Sequence, residues 1–160
     1  MHKMMTSRTT KGSAAVIGIF LLLTAASSAA DQPVGPKLTS KLRDLLRQEM
    51  ASVLLASQDI LGALAIGDHA IVAEQAQQIH DSFILQQSLT EQDKQDLMAA
   101  VPPEFVALDR AFHETSAELA AAARAENVAD ELSTFAQMTE ACIACHGRFA
   151  PDRFPGLAPE

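Results

Sequence analysis

The residues of this chain most able to do chemistry stand together in the run Cys142-Ile143-Ala144-Cys145-His146, which holds both of its cysteines. On a helix, positions i, i+3 and i+4 face the same way. Two thiols and an imidazole therefore converge on one side of the segment. C-x-x-C-H is the signature of c-type haem attachment. Cys142 and Cys145 can add to the two vinyl groups of one haem c, while His146 reaches the iron as the proximal ligand. Covalent attachment would keep the cofactor in place even in a small domain.

Other uses of the pair fit less well. A thioredoxin-like C-x-x-C accompanies a βαβ pattern, and none is visible. A reactive thiol also gains from a helix N-terminus, whereas this pair lies towards a helix C-terminus. Structural zinc needs four ligands, and there is no second C-x-x-C or H-x-x-x-H pair. A lone disulfide around so small a loop would stabilise the fold little. Thr115 and Ser116 follow His113 and Glu114, but no nucleophile is framed by a base, and no distal acid–base pair for a peroxidase stands out. The chain reads as a non-enzyme.

The first 30 residues differ from the rest. Lys3, Arg8 and Lys11 form a basic start, Ala14 to Leu23 is nearly all apolar, and the stretch closes on Ser28-Ala29-Ala30. This is the pattern of a secretory signal peptide, with cleavage near Ala30. The apolar stretch is short for a membrane span of roughly 20 residues, so no stable membrane anchor is expected. There is no twin arginine, which implies export unfolded, and the expected destination is the periplasm. Two thiols in an oxidising compartment need a chemical use. Of 12 basic and 20 acidic side chains, Lys3, Arg8 and Lys11 leave with the leader, taking the formal charge from −8 to about −11. So acidic a surface argues against nucleic acid and suits a positively charged redox partner protein.

Residues 31–160 read as one all-α domain. Asp31 to Lys37 reads as an extended lead-in. A first helix starts at Thr39 or Ser40, carries Leu42, Leu46, Met50, Val53, Leu54, Ile60 and Leu64 as a buried stripe, and stops at Gly67. Asp68 caps a second, with Ile71, Val72, Ala76, Ile79 and Phe83 inward, fading near Gln87 or Ser88. Thr90 and Asp93 form a capping box for a short helix over Glu91 to Ala100. Pro102-Pro103 separates it from a third long helix over Glu104 to Ala125. Asn127 caps the fourth, where Leu132, Phe135, Thr139, Cys142 and His146 share a stripe. Four long amphipathic helices with mostly short connections predict an antiparallel four-helix bundle, with the short extra helix between the second and third.

A signal peptide, a four-helix bundle and one C-x-x-C-H near the C-terminus resemble the class II cytochromes c, the cytochrome c′ family, across residues 38 to 154. The resemblance implies electron carriage when a methionine of the first helix binds the iron. It implies nitric oxide or carbon monoxide binding when that site is open. Met50 is the candidate distal ligand, about 15 Å along the first helix; the competing readings are His80, His113 and an open site, with His69 at the far end. The family's arginine four residues after the haem histidine is replaced here by Ala150, flanked by Arg148 and Arg153. Arg43 and Arg47 are further candidates for haem propionates. Family members often dimerise through their first two helices, so a homodimer is among the states implied.

Overall fold

The computed structural model describes residues 33–84 and 89–157. The leader and its cleavage site, like the fading end of the second helix, fall outside these residues. Among the described residues there is no strand. Five helices form: α1 (Ser40–Ile66), α2 (His69–Asp81), α3 (Glu91–Ala100), α4 (Pro103–Arg124) and α5 (Val128–Phe149).

The helix boundaries follow from side chains that satisfy unpaired backbone groups. Thr39 accepts the N–H of Leu42 and starts α1; Asp68 accepts that of Ile71 and starts α2; Asn127 accepts that of Asp130 and starts α5. Thr90 and Asp93 satisfy each other's N–H groups in a reciprocal box at the head of α3. Gly67 closes α1 at φ 73°, a left-handed conformation that glycine adopts without a Cβ clash. α2 ends earlier than the sequence suggested. At Ser82 both the backbone N–H and the hydroxyl turn back to donate to the Ile79 carbonyl, and Phe83 and Ile84 then tuck into the core.

α1 packs on α2, α2 on α4 and α4 on α5, while α1 and α5 touch far less than these. The lead-in is not extended. Gly35–Lys37 forms a 3-10 turn between buried Val34 and Leu38, and the Val34 N–H donates to the Phe149 carbonyl at 2.9 Å. Arg43 secures this turn by donating to the carbonyls of Gly35 and Leu38. The start of α1 thus lies beside the end of α5. At the other end His69 Nδ1 meets Glu131 Oε1 at 2.7 Å, joining the start of α2 to the start of α5.

Three faces differ from expectation; on α2, Ile71 is exposed rather than inward, while Val72 and Ala73 are buried. The buried side of α1 carries Leu42, Glu49, Val53, Ala56, Ile60 and Ala63, while Leu54 is exposed. In α5 Leu132 is exposed and Glu131 is buried in its place, because the inward position there binds His69. By length and composition α1 could also cross a membrane. Here its inner face is part of the core, and its outer face shows Leu54, Leu55, Leu61 and Ile66.

Candidate functional site

The apolar interior is divided in two. One cluster gathers Val53, Ile60, Ile79, Phe112, Leu119 and Met138; the other gathers Leu42, Ile84, Leu97, Phe105 and Phe149. On α1 the boundary falls between Leu46 and Met50, and on α4 between Leu108 and Phe112. On α5 it falls between Cys142, which packs on the first cluster, and Cys145, which packs on the second. The cysteines therefore straddle the division. Met50 packs on the same cluster as Cys142, while Cys145 does not.

Three buried polar side chains occupy the boundary: Glu49 of α1 and Asp109 and His113 of α4. His113 Nδ1 donates to the Ile79 carbonyl of α2 at 2.6 Å. Its Nε2 lies 3.2 Å from Glu49 Oε1 and 3.7 Å from Asp109 Oδ1. The Glu49 contact lies off the N–H axis, so it is a charge contact rather than an aligned hydrogen bond, and both Glu49 oxygens lack a hydrogen-bond donor. Burial pushes Asp109 up to about 6, and the Glu49 charge adds to this against the pull of His113. Burial disfavours the imidazolium of His113, yet the two carboxylates outweigh it and hold the ring's pKa above its usual value.

This layer was not read from the sequence as a site, although signals for it exist. Glu49 stands seven residues after Leu42 and four before Val53, a charge in a buried stripe. Asp109 and His113 are four apart on one helix face.

Cys142 and Cys145 are free and half-buried. Burial raises the pKa of Cys142. It pushes Cys145 up to about 12, with Asp109 and Cys142 adding to the effect. Neither is a thiolate primed for disulfide exchange or for zinc. Among the described residues, no group of three or more His, Cys, Asp or Glu side chains could hold a metal ion by itself.

His146 is half-buried against the C-terminal tail, its ring stacked on Phe154 with centroids 4.3 Å apart and planes 9° from parallel. Burial, and then the charge of Arg153, lower its pKa. The imidazole is thus held neutral at neutral pH, the form that donates a lone pair to a metal. The tail returns over α5 at Gly147, where a Cβ would stand 2.2 Å from the Leu157 carbonyl oxygen.

Each competing histidine has at least one ring nitrogen engaged within the fold. His113 is committed to Ile79 and the two carboxylates, and His80 Nδ1 donates to the His113 carbonyl at 2.9 Å. His69 serves Glu131 at the far end. Arg43 holds the lead-in turn, and Arg47 pairs with Asp44 at the surface. Arg148 lies over the Phe149 ring.

Two thiols and an imidazole at this spacing are donors that would suit a covalently held haem. Two protonated thiols and a neutral imidazole lie within five residues of one helix. A thioether on α1 packs on the same cluster, and partnerless polar atoms mark that level. The chain matches no protein-family model, no curated protein and no solved structure.

Proposed function

We propose that this protein is an exported class II c-type cytochrome, an antiparallel four-helix bundle that carries single electrons on one haem. The observation that carries the proposal is the pair of free thiols straddling the divided core, followed at once by a neutral imidazole.

Each residue has a definite task. The Cys142 and Cys145 sulfurs would hold the haem through two thioether links, each made by adding S–H across a vinyl group. Burial suits them to this form, since a thioether carries no charge. His146 would hold the iron through its lone pair, and the Phe154 ring stacked on it restrains its rotation. Met50 supplies a second, uncharged ligand from α1; a histidine–methionine pair is a recognised ligation of electron-carrying cytochromes. When bound, the haem supplies reversible one-electron exchange at its iron. The fold's part is to exclude water from the ligands and hold them still between oxidation states. The acidic surface suits docking to a basic redox partner.

The test is the visible spectrum of the mature protein, made with haem-attachment machinery, before and after reduction and then under carbon monoxide. Low-spin bands, a far-red ferric band from a methionine–iron bond and indifference to carbon monoxide are expected. A high-spin spectrum that shifts with carbon monoxide would replace electron carriage by gas binding at an open site.

A further inference from the structure

A histidine that binds a metal ordinarily donates its other ring N–H to a carboxylate or a carbonyl, and that hydrogen bond fixes the orientation of the ring. Among the described residues the His146 ring makes no such bond; its polar partners in the fold are none, and its contact is aromatic. The Phe154 ring lies on its face, with centroids 4.3 Å apart and planes 9° from parallel. The imidazole nitrogens bond in the plane of the ring, so a partner on the face leaves both of them free.

The tail holds Phe154 without help from the His146 side chain. The N–H groups of Arg153 and Phe154 both donate to the Ala150 carbonyl at 3.0 Å, and the Phe154 carbonyl accepts from Leu157 at 2.9 Å. The Leu157 backbone in turn lies against Gly147, with no room for a Cβ between them. Phe154 is thus tied to the last turn of α5 on both sides. A bond from nitrogen to a metal lies in the imidazole plane and leaves the ring free to turn about it. Turning would drive the edge of the imidazole into the Phe154 ring.

We propose that Phe154 is a positioning residue: held by the tail, its ring sets the plane of the His146 imidazole about the nitrogen–iron bond, in place of the usual hydrogen bond. This rests on the reading of His146 as proximal ligand and does not depend on Met50. Stacking fixes the ring without the added ligand basicity that a hydrogen bond brings.

The experiment compares wild type with Phe154→Ala, Phe154→Leu and Phe154→Tyr, all made with haem-attachment machinery. Proton NMR of the ferric form reports the plane, because the ring-methyl resonances of the haem spread according to the orientation of the axial imidazole. Haem content and far-ultraviolet circular dichroism report attachment and folding. Phe154→Ala should keep both but narrow the methyl spread, since the imidazole then samples several orientations. Phe154→Leu, which fills space without a flat face, should narrow it as well. Phe154 is exposed, so Phe154→Tyr has room for its hydroxyl and should keep the wild-type pattern. An unchanged spread in Phe154→Ala overturns the inference. So does a Phe154→Leu protein that matches wild type, or a Phe154→Tyr protein that matches Phe154→Ala. Loss of haem or of helix in Phe154→Ala would make Phe154 a brace for the fold and overturn it too. A wild type that acquires no haem defeats the reading of His146 itself, and the positioning role falls with it.

Discussion

His146 and Phe154 stack face to face, 4.3 Å between ring centroids and 9° from parallel. The seven residues between them reverse direction, so the chain that leaves α5 returns over its own last turn. The return is possible because residue 147 has no side chain: a Cβ there would stand 2.2 Å from the Leu157 carbonyl oxygen, on backbone that cannot swing aside. Gly147→Ala should therefore displace the tail, at a cost of about 1–3 kcal/mol for the overpacked contact. Cleavage by trypsin after Arg153, which the ordered tail restrains, should quicken severalfold. An unchanged digestion rate would mean that the tail accommodates the methyl group.

Met50→Ala tests the distal ligand. The side chain is half-buried against the first apolar cluster, so truncation should cost about 2 kcal/mol, at the low end for a methionine. The main effect should be spectroscopic: a change from low to high spin and new binding of carbon monoxide by the reduced protein. If the spin state does not change, Met50 is a packing residue and nothing more.

Asp109 gives a pH dependence of definite sign. Its carboxyl is pushed from an ordinary 3.8 to about 6, chiefly by burial and then by Glu49. A folded pKa above the unfolded one means that the protonated form favours the fold. The associated stability is fully present below about pH 4 and is lost as pH rises through about 6. At pH 7.5 the ionised group should cost at most about 3 kcal/mol. Asp109→Asn stays neutral, so it should melt several degrees higher than wild type at pH 7.5, with the difference vanishing near pH 4. The loss of attraction to His113 makes the gain smaller than the full figure. Thermal melts at the two pH values check this; a variant less stable at pH 7.5 would show that the attraction outweighs burial.

Much of the fold can be read from the sequence because its punctuation is local. Thr39, Gly67, Asp68, the Thr90–Asp93 box, Pro103 and Asn127 each act within one turn of helix, and the helices begin or end where those residues dictate. What escaped was tertiary. Leu132 looked buried by spacing, but Glu131 took the inward position to meet His69, a partner 62 residues away. The lead-in looked extended because its prolines and glycine favour that, whereas Val34 and Leu38 are drawn into the core beside Phe149. The cysteine–histidine cluster was plain, since all three residues lie on one short stretch of helix. The Glu49–Asp109–His113 layer was not, because Glu49 meets its partner only when α1 and α4 come together.

The most direct test of the central claim is the intact mass of the exported protein, measured under denaturing conditions after production with haem-attachment machinery, beside the Cys142→Ala/Cys145→Ala variant. The account predicts the chain from Asp31 to Glu160 plus one haem that survives denaturation, and no added mass in the variant. A wild-type chain of bare polypeptide mass, made alongside a control cytochrome that does acquire haem, would contradict it and return Cys142 and Cys145 to another chemistry.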